Sequence, residues 1–192
     1  MESVASSPPL TPSANSTFRI ARMGDRAFAA LLDGATLIPA FAIVIALVAL
    51  REHIPGSETG VTLQGGPALE SIFFSTIIWC SYHFLCEAIW GKTTGKEVMA
   101  IDVRSADGTK CAVSKALVRN VVRPIDAVGF YLLGFVVAIL SSRNQRIGDK
   151  LAGTIVAENP CAKRGFAVLV WFLENIALGC TAYFLIKAVS KH

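Results

Sequence analysis

From residue 29 to residue 50 the chain carries one charge, the carboxylate of Asp33. A run of that length is enough to cross a bilayer, whose hydrocarbon core takes about 20 apolar residues of helix. Within lipid every backbone polar group must be satisfied inside the segment, so such a run can only be a helix or part of a closed barrel. Two more blocks, residues 71–90 and 165–189, pass the same test. Charged residues make up only 17% of the chain, and the deficit is concentrated in these blocks. A soluble domain carries about 25%. The chain therefore reads as a membrane protein, and Asp33 lies where an acid costs several kcal/mol unless it is paired, protonated or wet. The first block is entered through Arg19, Arg22 and Arg26.

A fourth block, third in chain order, runs from 116 to 140 and is less clean. Its first half carries Arg119, Arg123, Pro124 and Asp126. It reads either as a full span or as a re-entrant segment, which must be buried in protein or line a cavity. The re-entrant arrangement puts nearly all loop and tail Lys and Arg on the N-terminal side, so the positive-inside bias favours it, with a cytoplasmic N-terminus. Residues 99–104 alternate Met99, Ile101 and Val103 with Ala100, Asp102 and Arg104, which is strand periodicity. Asp107-Gly108 makes a hairpin turn after them, with 110–113 as the returning strand and 153–157 as a further β-prone run. The expected fold is an all-α membrane protein, a small bundle of three clear transmembrane helices plus the undecided block. A small β-hairpin patch lies in its cytoplasmic loops. Residues 1–17, rich in Ser and Pro, form a disordered tail; 18–158 form the membrane domain; 159–192 add a C-terminal transmembrane helix.

Several function classes fall away. The net charge of +4 comes from cations flanking apolar blocks and calls for no nucleic acid. Five cysteines without a CxxC spacing argue against a disulfide framework or a zinc site. No Ser-His-Asp, Cys-His or HExxH arrangement is present, so an enzyme is not expected, nor a cofactor or a metal. Gly91-Lys92-Thr93-Thr94-Gly95-Lys96 has three residues between its glycines and Glu97 after the second lysine, so it is not a phosphate loop. It reads as a glycine-rich exit from the second helix, with Lys92 and Lys96 at the headgroups.

The ionisable residues within the blocks are the candidate site. Arg26 and Asp33 share a helix face two turns apart, too far for an easy direct pair, so each needs a partner from another helix or water. Pro39, four residues beyond Ala35, removes a backbone donor and with Gly34 offers a place to open the helix beside the acid. Arg119 and Arg123, one turn apart, repel each other and want an anion, either Asp33 or a lipid phosphate; Asp126 follows. His83 and Glu87 are also one turn apart. They read either as a proton relay, since histidine titrates near neutral pH, or as a plain pair at the end of a helix. Glu174 and Asn175 suit a helix–helix hydrogen bond. Asp149 suits a helix cap.

Arg26 and Asp33 opening the first helix, the 91–96 turn followed by 98–103 and Asp107-Gly108, Val118-Arg119-Asn120 with Arg123 and Asp126, and the run from Arg146 to Thr154 together resemble the RDD family. Its name comes from one arginine and two aspartates, and Asp126 and Asp149 both stand in the region of the second. The resemblance covers roughly 19–157 and implies a multi-pass bacterial plasma-membrane protein suspected in transport, with some members considered sodium/proton antiporters. On that reading Asp33 binds a proton or Na⁺, Arg119 or Arg123 holds its charge, and Asp126 is a second ligand. The alternative is a non-transporting assembly or scaffold protein that binds anionic headgroups or a partner membrane protein. A chain this small is expected to form a homo-oligomer or to join such a partner.

Overall fold

A computed structural model describes residues 18–56, 60–126 and 132–189. The expected disordered tail lies outside the described residues, as do 127–131 of the doubtful block. Three long helices carry the apolar blocks: α1 (Met23–Arg51), α2 (Gly65–Trp90) and α8 (Arg164–Val189). Among the described residues these three are long and apolar enough to cross a membrane. Five short helices and two strands lie between α2 and α8. They are α3 (Thr94–Val98), β1 (Ile101–Ser105), α4 (Val113–Val121), α5 (Arg123–Asp126), α6 (Leu132–Ile139), α7 (Ile147–Ala152) and β2 (Thr154–Glu158).

The long helices form because their apolar residues tolerate no other backbone in lipid. They end where the sequence changes character. α1 stops at Arg51 and Glu52, and α2 stops at Gly91, whose φ of 75° turns the chain back in the left-handed region. Pro39 does not open α1, which continues through both Gly34 and Pro39. The carbonyl of Leu32 instead accepts from Thr36 Oγ1 in its own helix and from Trp171 Nε1 of α8. That second bond, with Asn175 reaching Thr36 at 3.4 Å, docks α8 along α1. A close seam at the far end joins Ala46 and Ala49 to Val189, since small residues let two helices approach. The outward faces keep their large apolar side chains exposed, among them Phe28 and Leu31 on α1 and Phe172 and Phe184 on α8.

The doubtful block is not one spanning helix. Nine-residue α4 and four-residue α5 meet at Val122–Arg123, where Pro124 cannot donate to the preceding turn, and α6 adds eight residues beyond the undescribed stretch. α4 lies against α2 and α7, so its Arg119 faces protein. A small β patch is present, with a different pairing. β1 is antiparallel to β2, from Ile101 opposite Glu158 to Ser105 opposite Thr154. Residues 110–113 contribute a single bridge, Lys110 to Arg104, after the expected turn at Asp107-Gly108. Thr154–Glu158 wins because its Ile155, Val156 and Ala157 are buried, whereas Lys110 and Ala112 of the nearer run are exposed. Ile101, Val156, Ala21 and Ala29 form a core that seats the sheet on the start of α1.

Candidate functional site

The first turns of α1, the last turns of α2 and the short elements between α2 and α8 converge on buried ionisable groups. Asp33, nearly three turns into α1, is 2% exposed. Its Oδ2 accepts from Thr93 Oγ1 at 2.6 Å; its Oδ1 accepts from the Gly95 backbone N–H at 2.9 Å and from the Tyr82 hydroxyl at 3.1 Å. Gly95 is required by space. A Cβ there would run into the Ala29 carbonyl oxygen and come within 2.8 Å of Asp33 Oδ1. The 91–96 turn therefore closes over the carboxylate with its backbone, which only glycine permits.

His83 of α2 completes this pocket. Its Nδ1 lies 3.0 Å from the Trp79 carbonyl oxygen, and its Nε2 lies 3.7 Å from Asp33 Oδ2. A carbonyl only accepts, so Nδ1 carries a hydrogen. The neutral ring then turns a lone pair, not a donor, toward a carboxylate oxygen.

A second centre surrounds Glu87, one turn further along α2 and fully buried. Its Oε1 contacts Lys96 Nζ and, at 3.2 Å, Arg123 Nη2; its Oε2 takes Arg119 Nε at 2.9 Å and Asn120 Nδ2 at 2.8 Å. Arg119 also reaches Asp149 Oδ1 at 3.1 Å through Nη2, and Asp149 Oδ2 takes Arg26 Nη2 at 2.6 Å. Arg26 Nη1 meets the Asn144 carbonyl oxygen. One charged chain thus runs Arg26–Asp149–Arg119–Glu87, with Lys96 and Arg123 as branches, and ties α1, α7, α4, α2, α3 and α5 together. Arg123 is further fixed by Asn120 at 2.8 Å and lies 6.0 Å over the Trp79 ring.

Burial works against the Lys96 ammonium and pulls it down to about 8, although Glu87 favours its charge. For Asp149 burial acts upward, but Arg119 and Arg26 outweigh it and hold the carboxyl below the ordinary aspartate value. Asp126 behaves oppositely. It is 4% exposed, burial raises it, and its Oδ1 has no hydrogen-bond partner among the described residues.

These positions correct several sequence expectations. Asp33 does not pair with Arg119 or Arg123, because α4 and α5 carry those cations to Glu87. Arg26 finds its partner in Asp149, which also accepts from the Arg146 backbone N–H at 3.2 Å as a helix cap does. Asp126 is not a second ligand beside Asp33; it faces the first turn of α7 at Gly148. Lys96 is not at the headgroups but buried on Glu87. His83 and Glu87 are not a pair at a helix end, since one faces Asp33 and the other faces cations. Thr93, Gly95, Tyr82 and Asn120 are not among the candidate site residues of the sequence reading, although all but Tyr82 stand in its motifs. All four donate through neutral groups that no charge pattern reveals.

A cleft of about 540 Å³ lies between α1 and α2, with Asp33 and His83 in its wall. Along α2 it is lined by Ser71, Ser75, Trp79 and His83, each four residues after the last, so one face of an apolar helix presents a polar stripe. Ser71 Oγ is buried and has no hydrogen-bond partner among the described residues. The i, i+4 spacing of Ser71, Ser75, His83 and Glu87 was the signal available in the sequence for this stripe. Among the described residues no cluster of His, Cys, Asp and Glu is arranged to hold a metal ion.

The model of the RDD family matches residues 20–153, which takes in α1 to α7 and the whole charged chain. No curated protein and no solved structure matches.

Proposed function

The chain belongs to the RDD family, and from that premise we propose that it is a multi-pass membrane protein that couples transport to a proton held between Asp33 and His83. The observation that carries this reading is the 3.7 Å approach of His83 Nε2 to Asp33 Oδ2 in the wall of the α1–α2 cleft. With Nδ1 committed to Trp79, two acceptors face each other unless a proton sits on one of them. A buried polar pair with a missing proton is unfavourable, and adding the proton turns it into a charge-assisted hydrogen bond. Such a pair has two states that differ by one proton. Intramembrane acids and histidines in that situation mark proton paths.

The same geometry favours a proton over Na⁺ at Asp33. A bound sodium ion needs several oxygen lone pairs turned toward it, whereas the Thr93 and Tyr82 hydroxyls and the Gly95 N–H are turned to Asp33 as donors, and Oδ2 keeps room for one further bond from His83. The hydroxyls of Ser71 and Ser75 then provide a hydrated approach along α2 toward His83.

Proton movement into proteoliposomes under an imposed pH gradient, with Na⁺, Li⁺ or K⁺ inside, tests the proposal. Flux lost in both Asp33→Asn and His83→Gln, with wild-type helicity kept, is the expected result. Flux that persists in either variant overturns it. A metal-cation requirement that survives His83→Gln would return the site to cation exchange on Asp33 alone.

The assembly reading has one observation in its favour. α2 and α8 leave most of their apolar faces uncovered, including Phe73, Ile77, Leu173 and Ile176, as helices do that meet lipid or a second membrane protein. No flux from folded wild type would make it the better account.

A further inference from the structure

We infer that the α1–α2 cleft binds an anionic lipid from the surrounding bilayer, its phosphate at the arginine-lined mouth and a chain along α1. The inference deepens the transport reading and rests on it for what is moved, though not for binding.

Shape is the first argument. The cleft follows α1 from Arg26 to Ile45. Nineteen residues at helical rise are about 28 Å, close to the hydrocarbon thickness of a bilayer. A volume of 540 Å³ drawn out over that length is a narrow slot rather than a chamber for a compact solute.

Charge is the second. Arg26, Lys96, Arg119, Arg123 and Arg146 all line the cleft, and among the described residues Asp33 is the one acid that does so. Glu87 and Asp149, which fix those cations, are not part of the lining. The acids therefore hold the cations from behind, and the surface turned to the cleft is positive. Guanidinium groups fixed in place by other bonds are suited to a phosphate, which they can meet with two parallel N–H donors.

The walls beyond the mouth are the third. Leu37, Phe41, Ile45 and Ile72 line the slot along its length, broken by the serine stripe of α2. A small inorganic anion would use only the mouth. An acidic head on an alkyl chain uses both parts, and a basic pocket between transmembrane helices is a recognised setting for lipid headgroups.

Gly34 supplies a clean test. It lines the cleft, and a Cβ added there meets nothing within 4 Å, so the first atom of a larger side chain adds bulk at the wall without pressing on the protein. Trp79 is the reporter, because it too lines the cleft. With Trp90 and Trp171 replaced by Phe it becomes the single tryptophan of the chain. The full chain in phosphatidylcholine nanodiscs is then given a small fraction of brominated-chain phosphatidylglycerol or, separately, brominated-chain phosphatidylcholine.

Trp79 quenching by the acidic lipid is expected at about a tenfold lower fraction than by the neutral one, the difference one charge-assisted contact makes. Gly34→Leu is expected to abolish that preference, and Gly34→Ala to reduce it in part. Equal quenching by both lipids, or a preference unchanged in Gly34→Leu with a wild-type circular dichroism spectrum, overturns the inference. Relief of quenching by inorganic phosphate at low millimolar concentration would also overturn it, assigning the mouth to a free anion. Quenching is read without a gradient. Selective quenching without proton flux would leave the lipid site standing and sink the proton reading, and flux without selective quenching would do the reverse.

Discussion

Asp33 and Glu87 are equally hidden, 2% and 0% exposed, yet they are held by opposite means. Glu87 is gripped by three cations and an amide, from α3, α4 and α5. Asp33 is gripped by two hydroxyls and a backbone N–H, with a histidine at 3.7 Å. Full positive charge makes the ionised state of Glu87 the sole workable one, because an unpaired buried cation is far more costly than a paired one. Neutral donors also favour the ionised state of Asp33, but the two hydroxyls among them can re-aim when a proton arrives, and the imidazole beside it can take the proton instead. The contrast separates a lock from a switch within neighbouring turns of α2.

The largest effect should come from breaking the lock. Glu87→Gln removes the negative charge that Lys96, Arg119 and Arg123 share, and we expect a loss of about 3–5 kcal/mol. Thermal or SDS-induced unfolding of the detergent-solubilised protein would show it as poor yield or a much lower midpoint. A loss smaller than that of Asp33→Asn would invert the comparison and make Asp33 the structural acid. Asp33→Asn itself should cost less, about 1–2 kcal/mol, because its one amide oxygen keeps the Gly95 and Tyr82 donors while its NH2 faces the Thr93 hydroxyl, which can turn to accept.

Gly95→Ala comes next and acts first on the switch, with Lys96 the one lock residue on the turn it displaces. The added methyl meets the Ala29 carbonyl and the Asp33 carboxylate, both fixed in α1, so the 91–96 turn must move away. Overpacking of this kind costs about 1–3 kcal/mol. The comparison is sharpened if proton flux falls while the contacts at Glu87 survive. Arg119 is the place to look, because an unchanged guanidinium signal in the variant would show the lock intact.

What the sequence made legible here follows from the range of each signal. An acid in an apolar run is visible at once, and the three spans are local facts of composition, so both were legible. The charged residues of the site were also visible one by one: Arg26, Arg119, Arg123, Glu87 and Asp149 all stood out. Their pairing did not, because partner choice depends on which short element lands where. α4 lies against α2, and that sends Arg119 to Glu87 rather than to Asp33. The sheet shows the same limit. Alternation announced β1, but its partner begins at Thr154, and the nearer run at 110–113 had the better turn and the poorer burial. Gly95 and Thr93 were hidden for another reason. A glycine-rich turn looks like an exit until a carboxylate is found beneath it, and backbone donors carry no mark in a sequence.

The smallest effect on stability should come from the far end of the cleft, and it bears on the switch most directly. Ser71 Oγ is buried and unpartnered, so Ser71→Ala gives up no hydrogen bond among the described residues and removes a polar atom that burial disfavours. Its stability should lie within about 0.5 kcal/mol of wild type or slightly above it. If water reaches His83 along the Ser71–Ser75 face, the same substitution slows proton flux severalfold, because a methyl cannot hand a hydrogen bond onward. A Ser71→Thr variant, which keeps the hydroxyl, should then restore it. Unchanged stability with slowed and rescuable flux would tie the α2 stripe to the Asp33–His83 pair. Unchanged flux in Ser71→Ala would mean that protons reach the pair from the arginine-lined mouth, and the switch would then open to the same side as the lock.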